Sequence, residues 1–263
     1  MKVFITGASS GIGEALATEY AKRYKNKGTI IGLIARRSEH LQKLQAKLQE
    51  SYQITCVIYP LDVRDSAALA NAAESFMQQH GTPNIVIANA GVSRGTLTEH
   101  IEDIAAFQAI MDINVIGLVH TFQPFIVAMR KAGYGQLVGI ASVAGVRGLP
   151  GAGAYSASKA AAISYLESLR IEMAQHNIAV TTIAPGYIRT PMTAVNQYKM
   201  PFLMDTDIAA TKFVNAIAHK RRFVVIPWQM GWVARFMRLI PPFLWDLAMK
   251  KAPHKKRLDW DWL

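Results

Sequence analysis

A phenol and an amine stand four residues apart in "AYSASKAAAIS", as Tyr155 and Lys159. On a helix, positions i and i+4 share a face, so both side chains point into the same space. A free tyrosine has a pKa of about 10 and is a poor base at neutral pH. A nearby ammonium favours the phenolate and lowers that value. Such a pair can move a proton to or from a carbonyl or alcohol oxygen. The same spacing also fits a surface pair with snorkelling stems. Ser156 and Ser158 are expected to project elsewhere. Ser142 ends the apolar run "QLVGIAS". Its hydroxyl can hold a substrate oxygen beside the phenol, or satisfy a turn. Asn114 falls in a long helical stretch upstream, where a carboxamide can also serve only the backbone.

A proton moved at a carbonyl needs a matching source of hydride. "TGASSGIG" follows the first apolar run directly, with Gly7, Gly11 and Gly13 where a strand would turn into a helix. Glycine lets the backbone turn tightly and approach a ligand closely. The free N–H groups and positive end of the new helix favour a pyrophosphate. Ser9, Ser10 and Ile12 complete this cofactor-binding loop. Its spacing is G-x-x-x-G-x-G, not the G-x-G-x-x-G of the usual dinucleotide fingerprint. The second apolar run ends "LIARRSEH", with Arg36 and Arg37 and no acid. An acid there would bind a ribose 2′-hydroxyl, whereas arginine accommodates a 2′-phosphate. The cofactor expected is NADP(H) rather than NAD(H). The bland alternative is two solvated loop arginines.

These groups need a scaffold. Short runs rich in Val and Ile read as buried strands: "KVFIT", "TIIGLIA", "ITCVIY", "NIVIAN", "QLVGIAS", "IAVTTIAP" and "RFVVIP". Helical periodicity fills 14–25, 39–50, 66–80, 105–131, 156–176 and 206–220. Ser66 is placed to cap one of these helices. Strands apolar on both faces, alternating with helices, predict an α/β fold: a doubly wound (Rossmann-like) seven-stranded parallel sheet. Residues 1–227 read as one dinucleotide-binding and catalytic domain, and 228–263 as a basic amphipathic extension.

On these motifs the chain resembles the short-chain dehydrogenase/reductase family over residues 1 to about 227. "TGASSGIG" is similar to that family's glycine-rich segment. "LDV", with Asp62 and Val63, resembles its adenine-contacting turn. "NAG" (Asn89, Ala90 and Gly91) resembles its strand-four motif, although Ala88 stands where an Asn is frequent. "PGYIRT" resembles the segment that meets the nicotinamide, with Pro185, Gly186, Ile188 and Thr190. Asn114, Ser142, Tyr155 and Lys159 fall in the order of its catalytic tetrad. The resemblance implies that Lys159 also binds the nicotinamide ribose and that Asn114 holds a water. It further implies a homodimer or homotetramer, with 105–131 and 156–176 at a dimer interface. NADP-preferring members often carry a basic residue where this chain has Ser10. NADP therefore rests on Arg36 and Arg37.

Composition narrows the field. One cysteine, Cys56, permits no intrachain disulfide and fits a reducing, cytoplasmic setting. No Cys/His cluster has metal-ligand spacing, so no metal is expected. "MKVFITG" enters structure at once, without a leader, and no stretch of about 20 residues reads as apolar enough to span a bilayer. The net charge is +11, and residues 219–263 hold ten Lys/Arg against three Asp. Read as a helix, 232–240 puts Trp232, Val233, Phe236, Leu239 and Ile240 on one face and Arg235 and Arg238 on the other. Residues 228–257 could thus meet an anionic membrane peripherally, at its inner face, or dock on another subunit. No nucleic-acid motif is present.

The expected function is hydride transfer between NADP(H) and a small-molecule carbonyl or alcohol. Tyr155 would be general acid or base, Lys159 its tuner, and Ser142 the oxygen holder. Met192, Tyr198, Met200, Phe202, Leu203 and Met204 make an apolar lid region, which suggests a lipophilic substrate or simply packing. Two other readings stand beside it. One is a non-catalytic dinucleotide sensor or scaffold acting through its tail. The other is a related epimerase or dehydratase chemistry.

Overall fold

The computed structural model describes residues 1–250 together with Ala252, His254, Lys255 and Arg257. The seven Val/Ile-rich runs form β1 (Lys2–Thr6), β2 (Ile30–Ala35), β3 (Thr55–Pro60), β4 (Ile85–Ala88), β5 (Gly135–Ile140), β6 (Ile178–Pro185) and β7 (Phe223–Ile226). They pair in parallel in the order β3-β2-β1-β4-β5-β6-β7. The order reverses between β1 and β4, and ligands of such sheets bind at that switch point. Central strands are buried on both faces, hence their unbroken apolar runs.

One layer holds α1 (Gly11–Arg23), α2 (Ser38–Tyr52) and α8 (Thr206–Ala218). In α2, Leu41, Leu44 and Leu48 recur at helical spacing and are its buried residues. The other layer holds α3 (Ser66–His80), α5 (Gly117–Ala132) and α6 (Gly153–Ala174). The cap of α3 is Asp65, not Ser66: its carboxylate accepts from the Ala68 N–H at 2.9 Å, while Ser66 is already helical.

Before α5, α4 (Asp103–Met111) and a π-turn (Asp112–Ile116) run into it without a break. The joined helix spans 30 residues and, by length and composition, could cross a bilayer. That corrects the sequence expectation that no stretch is apolar enough. Phe122, Phe125 and Met129 bury one side of it against the sheet. A core helix is therefore as apolar as a membrane one. The π-turn widens the helix where Asn114 sits, a frequent device at functional sites.

After β6 comes a short α7 (Pro191–Ala194), fixed by a reciprocal Thr190–Thr193 cap. Beyond β7 lie α9 (Trp228–Leu239) and α10 (Pro242–Met249). Thus α9 starts earlier than the helix read at 232–240. Its faces also differ from expectation. Met230, Val233 and Ala234 pack inward on Val143 and Tyr187, while Trp232, Phe236 and Leu239 face out. Arg235 and Arg238 are exposed as well, so cations and aromatics share the outer side. The Arg147 guanidinium donates to the Met237 and Ile240 carbonyls at 2.5 Å each and lies 4.5 Å from the Trp245 ring. It thereby places a cation at the negative end of α9.

The described residues beyond α10 return to the body. Arg257 pairs with Glu102 and Asp103, each at 2.8 Å. Two cations of the basic cluster, Lys255 and Arg257, are thus engaged within the molecule. Lys251 and Lys256 lie outside the described residues.

Candidate active site

The carboxyl ends of the strands open on a cleft of about 490 Å³. Small-molecule sites occupy roughly 300–1,000 Å³. Ser9, Ser10, Gly11 and Ile12 line it, along with Gly7. Gly7 has φ +69°, and a Cβ there would lie 2.7 Å from the Ala90 backbone. Gly13 does not line the cleft. A Cβ on it would meet the Gly7 carbonyl at 2.2 Å, so its role is to seat α1 against the turn. Ser10 is the N-cap of α1 but makes no side-chain cap bond. The first turn therefore presents N–H groups that a phosphate can use. Asn89 fastens this loop by donating to the Thr6 and Gly7 carbonyls at 3.0 and 3.2 Å. Ala90 and Gly91 continue the wall.

Arg36 and Arg37 both reach the cleft but face different neighbours. The Arg37 guanidinium donates to the Ser9 and Ser10 hydroxyls at 2.9 and 2.7 Å. It thus brings a cation to the Ser10 position that lacks one of its own. Arg36 lies 3.7 Å from the Asp62 carboxylate, which also pairs with Arg64 at 2.9 Å. Burial pushes the Asp62 pKa up. The Arg64 hydrogen bonds and the two guanidinium charges outweigh that and hold it below the usual range. Val63 packs with Leu69 and Ile113 at the Arg36 end of the cleft.

At the other end, Ser142, Tyr155 and Lys159 come together in the same cleft. Of the two uses read for Ser142, the turn is realised. Its oxygen accepts from the Ala144 N–H at 3.1 Å, and its hydroxyl lies near enough to the Tyr155 phenol to favour the phenolate. Lys159 is only 5% exposed and donates to the Ile140 carbonyl at 2.9 Å. Burial pulls its pKa down to about 8. Its nitrogen lies 5.8 Å from the Tyr155 ring centroid. Burial raises the Tyr155 pKa, and the nearby Ser142 hydroxyl offsets this only in part. The expected lowering by Lys159 is therefore not realised in the protein alone. The ammonium rests on a carbonyl and lies over the ring.

Asn114 stands behind this group, 1% exposed, rather than in the cleft wall. Its Oδ1 accepts from the Val92 N–H at 2.8 Å. Its Nδ2 donates to the Val92 carbonyl and to Ser158 Oγ at 3.0 and 2.9 Å. Ser158 in turn donates to the Tyr155 carbonyl at 2.8 Å. Ser158 thus joins the site it was expected to avoid. Its signal in the sequence was weak, since i+3 from Tyr155 is also a helix-face neighbour.

Pro185, Gly186, Ile188 and Thr190 line the cleft from β6 onward, and α7 adds Met192 and Thr193. Tyr187 and Tyr198 pair with ring centroids 6.3 Å apart. Sequence reasoning also missed Lys255. Its ammonium donates to Ser93 Oγ at 2.7 Å and lies 5.9 Å from the Tyr155 ring centroid. Burial and the nearby Arg94 charge bring its pKa down to about 8. No local pattern could place a tail residue there.

A family model described as short chain dehydrogenase matches residues 1–200. An uncharacterized oxidoreductase of Myxococcus xanthus is 35% identical over 247 residues, covering 94% of this chain and 95% of that protein. L-sorbose reductase from Gluconobacter frateurii, solved with NADPH and L-sorbose, is 25% identical with a TM-score of 0.76, covering 86% of this chain and 94% of that one. A short-chain dehydrogenase from Sphingobium yanoikuyae in complex with NADPH is also 25% identical with a TM-score of 0.76, covering 92% and 96%.

Proposed function

Because the chain belongs to the short-chain dehydrogenase/reductase family of oxidoreductases, we propose that it reduces a lipophilic carbonyl with NADPH, or oxidises the matching alcohol with NADP⁺. One observation carries this reading: Ser142, Tyr155 and Lys159 line one end of the same cleft whose other end is the glycine loop. The glycines, the uncapped first turn of α1 and the Arg37 guanidinium fit a phosphorylated dinucleotide. When bound, that cofactor supplies or accepts the hydride.

The chain's own residues handle the proton. Ser142 donates to the substrate oxygen and holds it beside the phenol. Tyr155 gives its proton to that oxygen in reduction and takes it back in oxidation. Lys159 stabilises the resulting phenolate and presents its remaining N–H donors to the ribose. Asn114 positions Tyr155 through Ser158 and keeps one lone pair of Oδ1 for a water. Gly91 leaves room for that water, since a Cβ there would lie 3.1 Å from Asn114 Oδ1 and 3.4 Å from Lys159 Nζ.

A sensor or scaffold would have no use for a buried ammonium on a single protein carbonyl, because such burial costs stability. The apolar lid and the Tyr187–Tyr198 pair favour a lipophilic substrate. Lys255 adds a cation at the same mouth, which suits an acidic end on that substrate. The test is NADPH and NADH oxidation against a panel of carbonyls that pairs acids with their methyl esters. NADPH-dependent reduction of a lipophilic member is the expected outcome. A panel without any turnover by either cofactor would sink the reading.

A further inference from the structure

We propose that the outer face of α9 and α10 seats this protein on an anionic lipid leaflet. Trp228, Trp232, Phe236, Leu239, Phe243 and Leu247 are between 54% and 78% exposed. The fold does not account for them. The inward stripe of α9, with Met230 and Ala234, already fills its place against Val143. A soluble helix normally gives its outer side to polar residues, so apolar groups on both sides mark an interaction surface. Arg147 ties the two helices of this face together, holding the carbonyls at the end of α9 and lying over the Trp245 ring of α10.

Charge decides what covers this face. Arg235 stands among the aromatics, its guanidinium 5.3 Å from the Trp232 ring, and Arg238 flanks them. Lys250 follows α10, and Asp246 is the one acid in the two helices. A second copy of this chain would bring the same arginines and the same net charge of +11 to an apolar contact. Burying like charges against each other is costly. An anionic leaflet offers phosphates to the arginines and an apolar interface to tryptophan and phenylalanine. Both needs of the face are met at once.

The position of the face gives the contact a use. A Cβ on Gly186 would meet Met230 Cγ at 2.6 Å, so α9 lies directly against the cleft wall. A leaflet on its outer side would lie one helix away from the site. A lipophilic substrate could then reach the site without crossing water.

The experiment is co-sedimentation of the full chain with vesicles of phosphatidylcholine, alone or with phosphatidylserine. Binding is expected only with phosphatidylserine and should fall as salt is raised. Trp232→Glu with Phe236→Glu should weaken it roughly tenfold or more. Arg235→Gln with Arg238→Gln should do the same by removing two cations from the surface. Dinucleotide binding by fluorescence should persist in both pairs, which separates this contact from the site. Three outcomes overturn the proposal. One is a wild-type chain that ignores phosphatidylserine vesicles. Another is variants that bind them as wild type does. The third is sedimentation velocity showing that the glutamate pair only splits an oligomer, which would make the face a subunit contact.

Discussion

Lys159 and Lys255 each keep an ammonium in a partly or fully desolvated place, with the pKa down at about 8. In the unfolded chain a lysine titrates at about 10.4. Between those values the unfolded state holds more protons, so stability rises with pH across that window. Below it the full cost is present. Thermal melts of the ligand-free chain should therefore improve from about pH 8 to pH 9.5. The rise should shrink in Lys159→Met and shrink further when Lys255→Met is added. Melts that fall over this window in wild type would contradict the placement of both groups. The other residue that decides chemistry is Arg37. On the proposed NADP(H) reading, in which its guanidinium meets the 2′-phosphate, Arg37→Glu should cost NADPH affinity roughly ten- to a hundredfold. NADH affinity should barely move, and titration of nucleotide fluorescence checks both. The residue types were readable because phenol, amine and guanidinium have few uses together. Their protonation was not, because desolvation depends on what surrounds them.

At the scale of elements, the turn from β1 into α1 is the most demanding piece. A Cβ on Gly13 would meet the Gly7 carbonyl at 2.2 Å, and a backbone atom cannot step aside. Gly13→Ala should cost about 2 kcal/mol of stability or more and weaken nucleotide binding. Gly148→Ala, where nothing lies within 4 Å, is the control and should change little. Denaturant melts compare the two. The strands were legible because β-branched runs buried on both faces leave no alternative period. The glycine loop was legible because it follows one of them. The π-turn was not. Five residues at 112–116 shift the helical phase too little to be seen in an apolar stretch. Nor was the cap of α3, where Asp65 and Ser66 are both good capping types and only the backbone decides.

The whole molecule leaves other apolar side chains outside as well. Ile116 and Val127 are exposed along the long helix, and Ile171 on α6. These helices were the expected dimer interface. The chain should sediment as a dimer or tetramer, and Val127→Lys with Ile171→Lys should reduce it to a smaller species with its helix content intact. A monomeric wild type would remove that interface. The return of the tail to the site was beyond sequence reasoning. Lys255 meets Ser93 across a separation of 162 residues, and no periodicity encodes that return. The tail read as one amphipathic unit instead divides its work. The outer sides of its first two helices carry exposed aromatics, and Lys255 in its described end folds back to the Tyr155 ring.

The central claim is that Tyr155 moves the proton. Its most direct test compares wild type with Tyr155→Phe in NADPH-dependent reduction of the best carbonyl, alongside NADPH binding. The phenol's loss should cut turnover roughly 10²- to 10⁴-fold while NADPH affinity stays within about twofold, since the ring and Lys159 remain. A Tyr155→Phe enzyme that turns over within roughly tenfold of wild type would contradict the account.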